Sequence, residues 1–287
     1  MKLNKLNFVF FYNCMSAPIK KQLQQSFEFN EVFDVHIINL YDYLDGYKFE
    51  NEVDIIDEHV RMLRSANVLV LQSLRSDRDF LNKDNILRKV RKKCKIICIP
   101  QYTFSGYHPK LNIPSNENIT FDKSFSELKE YVYTELFLND REKVISNLES
   151  ELKHISELDK ISNIKCHDFI KNNYNKRLLF NNRQYGTHYF FHYIAQEILN
   201  IININDTIGC AYDNFGKEYL QPIYPNVSKY LGLKFSHSII FNQGCNLIEY
   251  IVCCKKIGVN SLYLKQRDDG IHHCEEINRI IKSGIYR

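Results

Sequence analysis

The chain has 287 residues, of which 44% are hydrophobic and 25% are charged, and its formal net charge is +4. These values are ordinary for a soluble globular protein with an ample core. The net charge is too small to indicate nucleic-acid binding, and no run approaches the ~20 apolar residues of a membrane span. We therefore expect no nucleic-acid partner and no membrane span.

The nine cysteines are scattered along the chain without a C-x-x-C pair. An odd, unpatterned set is typical of reduced thiols, and the first residues show no signal-peptide pattern. We therefore expect a cytoplasmic protein. Cys94 and Cys98 have no matching second pair, so we expect no zinc site.

An apolar run over residues 8–12 opens the chain and has the length of a fully buried strand. Asn13 and Cys14 follow it, and Pro18 stands where a first helical turn tolerates proline. Apolar residues at 19, 23 and 27 then predict a helix. A cysteine at this junction lies at the carboxyl edge of the sheet, where a helix start can stabilise a thiolate. It is either a nucleophile or a buried strand-end residue.

The first half continues as an alternation of strands and helices. Strands are predicted over 32–40, 68–74 and 95–100, and helices over 55–63 and 83–93. Continuous apolar strands separated by helices indicate a parallel sheet that is covered on both faces. We therefore expect a doubly wound α/β fold with a mostly parallel, flavodoxin-like sheet.

The middle of the chain predicts an inserted helical segment over about 124–172. Ser124 and Glu127 fit a capping box, and the Glu-, Lys- and Leu-rich stretch that follows keeps a helical apolar stripe. A further aromatic helix is predicted over 188–199. We expect one α/β domain, 1–287, that carries this insertion.

Polar residues follow the predicted strands. Gln72, Ser73 and Arg75 follow the strand at 68 and place an amide, a hydroxyl and a guanidinium at the same edge as Cys14. The loop over 100–109 is dense in hydrogen-bonding and aromatic residues. Singly, these residues suit turns, but their recurrence at successive strand ends favours a ligand pocket.

The C-terminal part supplies a candidate base. Asp269 precedes His272 by three residues, and such a carboxylate can hold an imidazole tautomer and stabilise the imidazolium. Hydrolases of the SGNH type carry this D-x-x-H spacing near the C-terminus and a nucleophile after the first strand, and the order here is similar, with cysteine for serine. The adjacent His273 could serve instead. His188 and His192 have metal-compatible spacing but no evident acidic or cysteine partner, so we expect no metal.

These ordered landmarks resemble the WcbI-type polysaccharide biosynthesis proteins, a family of coenzyme A-binding acetyltransferases with, in our reading, an SGNH-like α/β core. The Asn13-Cys14 turn, the strand end at Gln72 and the loop over 99–109 match the family's order, and the loop is the most specific match. Stretches within 176–199 and 220–233 resemble later blocks. Two departures stand out: Met15 replaces a glutamine, and Gln184-Tyr185-Gly186 replaces Asn-His-Pro.

The resemblance implies acetyl transfer from acetyl-coenzyme A to a hydroxyl or amino group of a sugar or nucleotide sugar. The expected catalytic residues are Cys14, His272 and Asp269. Either His272 deprotonates an acceptor that attacks the thioester directly, with Asn13, Gln72 or backbone N–H groups near Cys14 holding the oxyanion, or Cys14 takes the acetyl group first. The expected cofactor-binding residues are Asn13, Gln72, Ser73, Arg75, Tyr102, Tyr107, His108, Arg183 and Tyr185.

Cations and aromatic rings have distinct expected partners in coenzyme A and the acceptor. Coenzyme A phosphates could pair with Arg75, Lys110, Arg183 or the basic cluster 88–95, whose simpler interpretation is a solvated helix end. Tyr102, Tyr107 and Tyr185 could stack on adenine or a sugar ring.

Two other functions fit the same residues. A thiol-dependent, SGNH-like esterase or deacetylase would use the same strand-end geometry with water as the acceptor. A non-catalytic module would bind a sugar or nucleotide without chemistry. The sequence leaves the oligomeric state open, a homo-oligomer included.

Overall fold

A parallel four-stranded sheet organises the first part of the chain. The structure is a computed structural model, which describes residues 5–44, 48–72, 79–108, 140–215, 223 and 225–235. The described strands are β1 (Leu6–Tyr12), β2 (Phe33–Asn39), β3 (Val68–Leu71) and β4 (Lys95–Cys98). Their order is β2-β1-β3-β4, and each neighbouring pair is parallel. The predicted parallel α/β fold is confirmed.

Helices connect the strands and continue after them. The first four are α1 (Ser16–Leu23), α2 (Phe27–Val32), α3 (Asp57–Ser65) and α4 (Lys83–Arg88). Short 3-10 helices span Leu40–Tyr43 and Asp79–Leu81. The later described helices are α5 (Arg141–Asp159), α6 (His167–Asn173), α7 (His188–Ile201) and α8 (Pro225–Leu231).

The helix predicted through residue 27 is wrong at its end. It stops at Leu23, and Ser26 takes an extended conformation and caps a new helix, accepting the backbone N–H of Phe29 over 3.0 Å. Serine is a strong helix N-cap, and that local bond outweighs the apolar spacing. Phe27 is consequently 77% exposed at the start of α2 instead of facing the core.

α4 is likewise shorter than the helix predicted over 83–93. It ends at Arg88, just where the run of basic residues begins. Like charges three and four residues apart destabilise a helix, so the run is better accommodated outside it.

One face of the sheet carries a mostly aliphatic core. Val9 and Phe11 of β1 point to this face, where they join a buried cluster with Leu63 of α3 and Ile86 of α4. Because side chains alternate along a strand, the intervening residues of β1 point to the opposite face. This alternation accounts for the unbroken apolar run of the first strand.

The opposite face has an aromatic core. The ring of Phe8 packs edge-on against Phe29 of α2, with centroids 5.3 Å apart, and against Phe33, at 5.6 Å. α1 packs against α7. Helices thus cover both faces of the sheet, as the continuous apolar strands predicted.

The chain divides into two compact units. The first comprises residues 1–103, 154–171 and 185–215 and contains the sheet, and the second comprises 104–153, 172–184 and 216–287. Within the predicted insertion, the described residues form α5 and α6. The single-domain organisation stays a prediction. In the described part of the chain, no helix has the length and apolar character needed to cross a membrane.

Candidate functional site

The strand order reverses direction between β1 and β3, and polar residues lie where these two strands end. In open parallel sheets, ligands bind in the crevice outside the carboxyl ends of the strands at such a switch point. Asn13 and Cys14 directly follow β1, and Gln72 directly follows β3. The backbone N–H of Asn13 donates to Oε1 of Gln72 over 3.1 Å. The structure therefore brings these three predicted residues together.

Asn13 shapes the turn through its acceptors and leaves its amide donor unpaired. The side chain is buried, and its Oδ1 accepts the backbone N–H of Met15 over 3.0 Å. Its carbonyl accepts the backbone N–H of Ser16 over 3.0 Å. Among the described residues, Nδ2 of Asn13 has no hydrogen-bond partner. Because buried donors are nearly always paired, this amide marks a place where a ligand atom is expected.

Cys14 is a neutral thiol in this environment. Burial raises the pKa of the thiol above its ordinary value, although its own backbone N–H, the hydroxyl of Tyr185 and the backbone N–H of Met15 favour the thiolate. The position of Cys14 between a strand and a helix predicts a stabilised thiolate. Desolvation is the larger effect, so Cys14 lacks the depressed pKa of an activated nucleophile.

Tyr185 lies beside Cys14. It is buried, and its ring packs edge-on against Phe215, with centroids 5.4 Å apart. Its hydroxyl lowers the pKa of the Cys14 thiol, against the larger effect of burial. A ring held this way does not offer a face to adenine, so the predicted stacking role does not fit Tyr185. Sequence analysis missed the contact with Cys14, because no spacing pattern links residues so far apart.

Tyr102 belongs to the core of the first unit. It is 1% exposed, and its hydroxyl lies 2.7 Å from both Oδ1 of Asp159 and the carbonyl oxygen of Ile164. Its ring packs edge-on against Phe190. A stacking platform must be accessible, so the structure assigns Tyr102 to packing, contrary to the prediction.

The second unit contains Tyr107, His108 and Arg183. Tyr107 is 1% exposed and donates to the carbonyl of Tyr174 over 2.7 Å, so it too packs the interior and does not stack on a ligand as predicted. Burial lowers the pKa of His108 to about 3, and its Nε2 has no partner among the described residues. Arg183 is partly buried, and its carbonyl accepts the backbone N–H of Phe104 over 2.8 Å.

Five predicted ligand or catalytic residues lie outside the described residues. These are Ser73, Arg75, Lys110, Asp269 and His272. His273, the alternative base, also lies there. The assignment of the base and of the carboxylate that orients it remains a prediction.

The basic cluster 88–95 does not lie at the edge of the sheet that carries Cys14. It ends at Lys95, the first residue of β4, and because the strands are parallel it lies at their amino ends. Lys89 forms an ion pair with Asp54, with 2.8 Å between Nζ and Oδ1. This position favours the solvated helix end, and the pairing of the cluster with coenzyme A phosphates stays a prediction. Across the described ranges, no group of His, Cys, Asp and Glu side chains could hold a metal ion.

Fold and site together define a parallel α/β protein with polar residues gathered at its switch point. The sequence model of the polysaccharide biosynthesis enzyme WcbI matches residues 8–207. The chain therefore belongs to the WcbI family of polysaccharide biosynthesis enzymes, and the predicted family is confirmed.

A solved structure of WcbI shares the fold. It matches with a TM-score of 0.61 over 98% of each chain, at 13% sequence identity. That protein is described as a novel polysaccharide biosynthesis enzyme, in a native form without a disulfide bond between coenzyme A and one of its cysteines. No curated protein matches the chain.

Proposed function

We propose that this protein transfers an acetyl group from acetyl-coenzyme A to a hydroxyl or amino group of a sugar or nucleotide sugar. Membership of a polysaccharide biosynthesis enzyme family supports the acceptor class, and the coenzyme A named for the related structure supports the donor. The observation that carries the proposal is the buried amide of Asn13 beside Cys14, whose Nδ2 has no hydrogen-bond partner among the described residues. It offers a hydrogen-bond donor at the switch point of the sheet.

The residues fit an acetyl thioester. Acetyl-coenzyme A would supply an activated acetyl group whose carbonyl oxygen accepts hydrogen bonds. Nδ2 of Asn13 is a donor in need of an acceptor, and the neutral thiol of Cys14 suits an uncharged thioester better than an ion would. Ser73 and Arg75, which follow Gln72 in the sequence, are proposed to hold its phosphates. The roles expected for His108 and Arg183 stay predictions.

The proposed reaction needs a base and an oxyanion donor. His272, oriented by Asp269, takes the proton of the acceptor group, whose oxygen or nitrogen bonds to the carbonyl carbon as the carbon–sulfur bond breaks. The departing sulfur takes that proton back from His272. Nδ2 of Asn13 donates to the carbonyl oxygen as it gains negative charge, an interaction worth about 3 kcal/mol in comparable sites.

Of the backbone donors expected to share this task, two are already used by the turn. The N–H groups of Met15 and Ser16 donate to Asn13 itself. The side-chain amide of Asn13 is therefore the better candidate for the oxyanion donor. Fewer backbone N–H groups of the turn are available for this task than the sequence suggested.

The raised pKa of Cys14 favours direct attack by the acceptor. A thiol is a poor nucleophile at neutral pH unless a base or a positive charge activates it, and burial acts in the opposite direction here. We propose that Cys14 shapes the pocket around the thioester and does not carry the acetyl group.

Coenzyme A binding is the first test. We expect coenzyme A to raise the unfolding temperature of the purified protein, and acetyl-coenzyme A with a sugar acceptor to yield acetylated sugar by mass spectrometry. Acetyl-ester cleavage without coenzyme A would indicate the esterase, and inertness with retained sugar binding would indicate the module. Either result contradicts the proposal.

Replacement of the cysteine separates the two versions of the transfer. Cys14→Ala retains substantial acetyl transfer if the acceptor attacks directly, and loses it if an acetyl-cysteine forms. Cys94→Ala is the matched control, because Cys94 is partly buried but precedes β4 at the amino edge of the sheet. It should leave the activity unchanged.

A further inference from the structure

The amino edge of the sheet carries exposed cations that come from three separate parts of the chain. Lys5 directly precedes β1, and Arg64 lies in the last turn of α3, before β3. Lys92 and Lys93 precede β4. We propose that this edge is a docking surface for a membrane that contains anionic lipids. It is not the edge that carries Cys14, so the inference does not depend on the proposed acetyl transfer.

The fold brings these cations into one row. The N–H of Asn67, before β3, donates to the carbonyl of Asn7 in β1 over 2.8 Å. The N–H of Lys95, at the start of β4, donates to the carbonyl of Asn67, also over 2.8 Å. Since neighbouring strands are about 4.8 Å apart, the starts of β1 and β4 are about 10 Å apart, which is close to the Debye length. The charges that precede the three strands can therefore act on one partner together.

A tight turn before β4 presents the densest part of this row. The N–H of Cys94 donates to the carbonyl of Arg91 over 3.0 Å, which places Lys92 and Lys93 at the tip of the turn. Arg91 and both lysines are exposed. Within the described ranges, none of these three side chains forms an ion pair. Their charges are thus available to an external anion.

An apolar residue in the same row favours a lipid surface over a nucleic acid. Leu6, the first residue of β1, is 42% exposed next to Lys5. Surfaces that bind at a membrane interface combine exposed apolar side chains with cations, whereas a nucleic-acid backbone is contacted by cations and polar donors. The net charge of +4 is also small for a nucleic-acid-binding protein, while a local patch of about four to eight cations suffices for an anionic bilayer.

Exposed acids stand to one side of this row. Glu31 lies just before β2, and Asp34 lies near its start. The strand order β2-β1-β3-β4 places both on the side of β1 that is remote from β4. The positive part of the edge therefore extends across β1, β3 and β4, and the bilayer is contacted there.

Docking through this edge leaves the candidate active site on the side away from the bilayer. β1 has seven residues, which at about 3.3 Å each place its carboxyl end roughly 20 Å from its amino end. Asn13 and Cys14 follow that carboxyl end. Changes to the cations of the amino edge should therefore leave the reaction with dissolved substrates unchanged.

Vesicle binding tests the proposal. The whole chain is mixed at about 0.15 M salt with vesicles of phosphatidylcholine alone, or of phosphatidylcholine and phosphatidylglycerol in equal amounts, and the bound fraction is measured by co-sedimentation. We expect binding to the anionic vesicles alone, and its loss at about 1 M salt, where the Debye length falls to about 3 Å. Equal binding to both vesicles, no binding to either, or tighter binding to duplex DNA or RNA at the same salt would overturn the proposal.

Neutral variants locate the surface. Lys92→Gln with Lys93→Gln should weaken binding to anionic vesicles by about 30-fold, since one cation near such a surface contributes about fivefold in affinity. The matched control is Lys160→Gln with Lys171→Gln, two exposed lysines on α6 and on the segment before it, which pairs with the carboxyl end of β4. It should keep the affinity within about twofold, because charges beyond a Debye length are screened. Equal losses in the two variants, with urea unfolding unchanged, would contradict the proposal.

Arg64→Gln distinguishes a surface built by the fold from attraction to the basic run alone. Arg64 is remote from that run in the sequence but belongs to the same edge. We expect this variant to bind anionic vesicles about fivefold more weakly. An unchanged affinity would contradict a surface that spans the three strands. Vesicle binding by a protein that transfers no acetyl group would reject the proposed function and support the docking surface.

Discussion

The backbone N–H of Asn13 donates to Oε1 of Gln72 over 3.1 Å, and this bond joins the chain leaving β1 to the chain leaving β3. Both residues are buried. A second bond, from the backbone N–H of Gln72 to the carbonyl of Phe11 over 3.0 Å, extends the pairing of the two strands. The turn that carries Cys14 therefore depends on a side chain from a different strand.

Gln72→Leu should destabilise the protein and weaken coenzyme A binding. Leucine has a similar volume but leaves the buried N–H of Asn13 without an acceptor, at a cost of about 1–3 kcal/mol. Urea unfolding measures the loss. Gln24→Leu makes the same change at an exposed position and should change the free energy of unfolding by no more than about 0.5 kcal/mol. Equal values for the two variants would show that the bond contributes nothing to stability.

Asn13→Asp should separate the structural role of Asn13 from its role as a donor. Aspartate keeps an oxygen that can accept the N–H of Met15, but it removes the unpaired donor at Nδ2. Its negative charge next to the start of α1 is compatible with the helix dipole. We expect stability close to wild type and a fall in kcat of acetyl transfer on the order of 10²–10³.

Asn13→Ala completes this comparison, because alanine removes both groups. It should lower the kcat by a similar factor and also lower the free energy of unfolding, since the N–H of Met15 loses its acceptor. Full activity in Asn13→Asp would remove Asn13 from the proposed mechanism.

The sheet could be predicted from the sequence because its signal is local. Continuous apolar runs such as residues 8–12 and 95–98 are long enough to show a buried strand without knowledge of any neighbour. The position of the carboxyl edge could be predicted from the same pattern, because the carboxyl ends of parallel strands lie at one edge of the sheet. The sequence alone therefore predicts that Asn13 and Gln72 lie at the same edge, without showing that they are joined by a hydrogen bond.

The aromatic residues could not be assigned in this way. A tyrosine in a polar loop fits a ligand platform and a core position equally well, and the difference lies in its distant partners. Tyr102 and Tyr107 have their hydroxyls paired with carbonyl groups of Ile164 and Tyr174, which no local spacing reveals. The same holds for Tyr185, whose ring packs edge-on against the distant Phe215.

The pair Tyr43 and His59 should make stability depend on pH. The two are 2.6 Å apart between the hydroxyl and Nδ1, and the Tyr43 oxygen accepts the backbone N–H of Ile56, so its own hydrogen is available to donate to the imidazole. Burial lowers the pKa of His59 below its ordinary value of 6.5, although Glu58 and Asp42 act in the opposite direction. The folded protein thus favours the neutral ring.

The sign of the effect follows from proton binding. Below about pH 6.5 the unfolded chain protonates His59 before the folded protein does, so stability is fully present above this pH and is lost as the pH falls toward the lowered pKa. His59→Gln keeps an acceptor for Tyr43 but does not titrate. We expect its free energy of unfolding to decline less steeply than that of wild type over this range. Parallel curves would mean that His59 has the same pKa in both states.

Gly186→Ala should destabilise the protein. An added Cβ would stand 2.7 Å from Cδ1 of Phe190, so Phe190 or the backbone must move, at a cost of about 1–3 kcal/mol. Gly209→Ala is the control, because no atom lies within 4 Å of a Cβ added there. Urea unfolding should show the loss in the first variant alone. Equal free energies of unfolding for the two variants would show that Phe190 moves away from the added Cβ without cost.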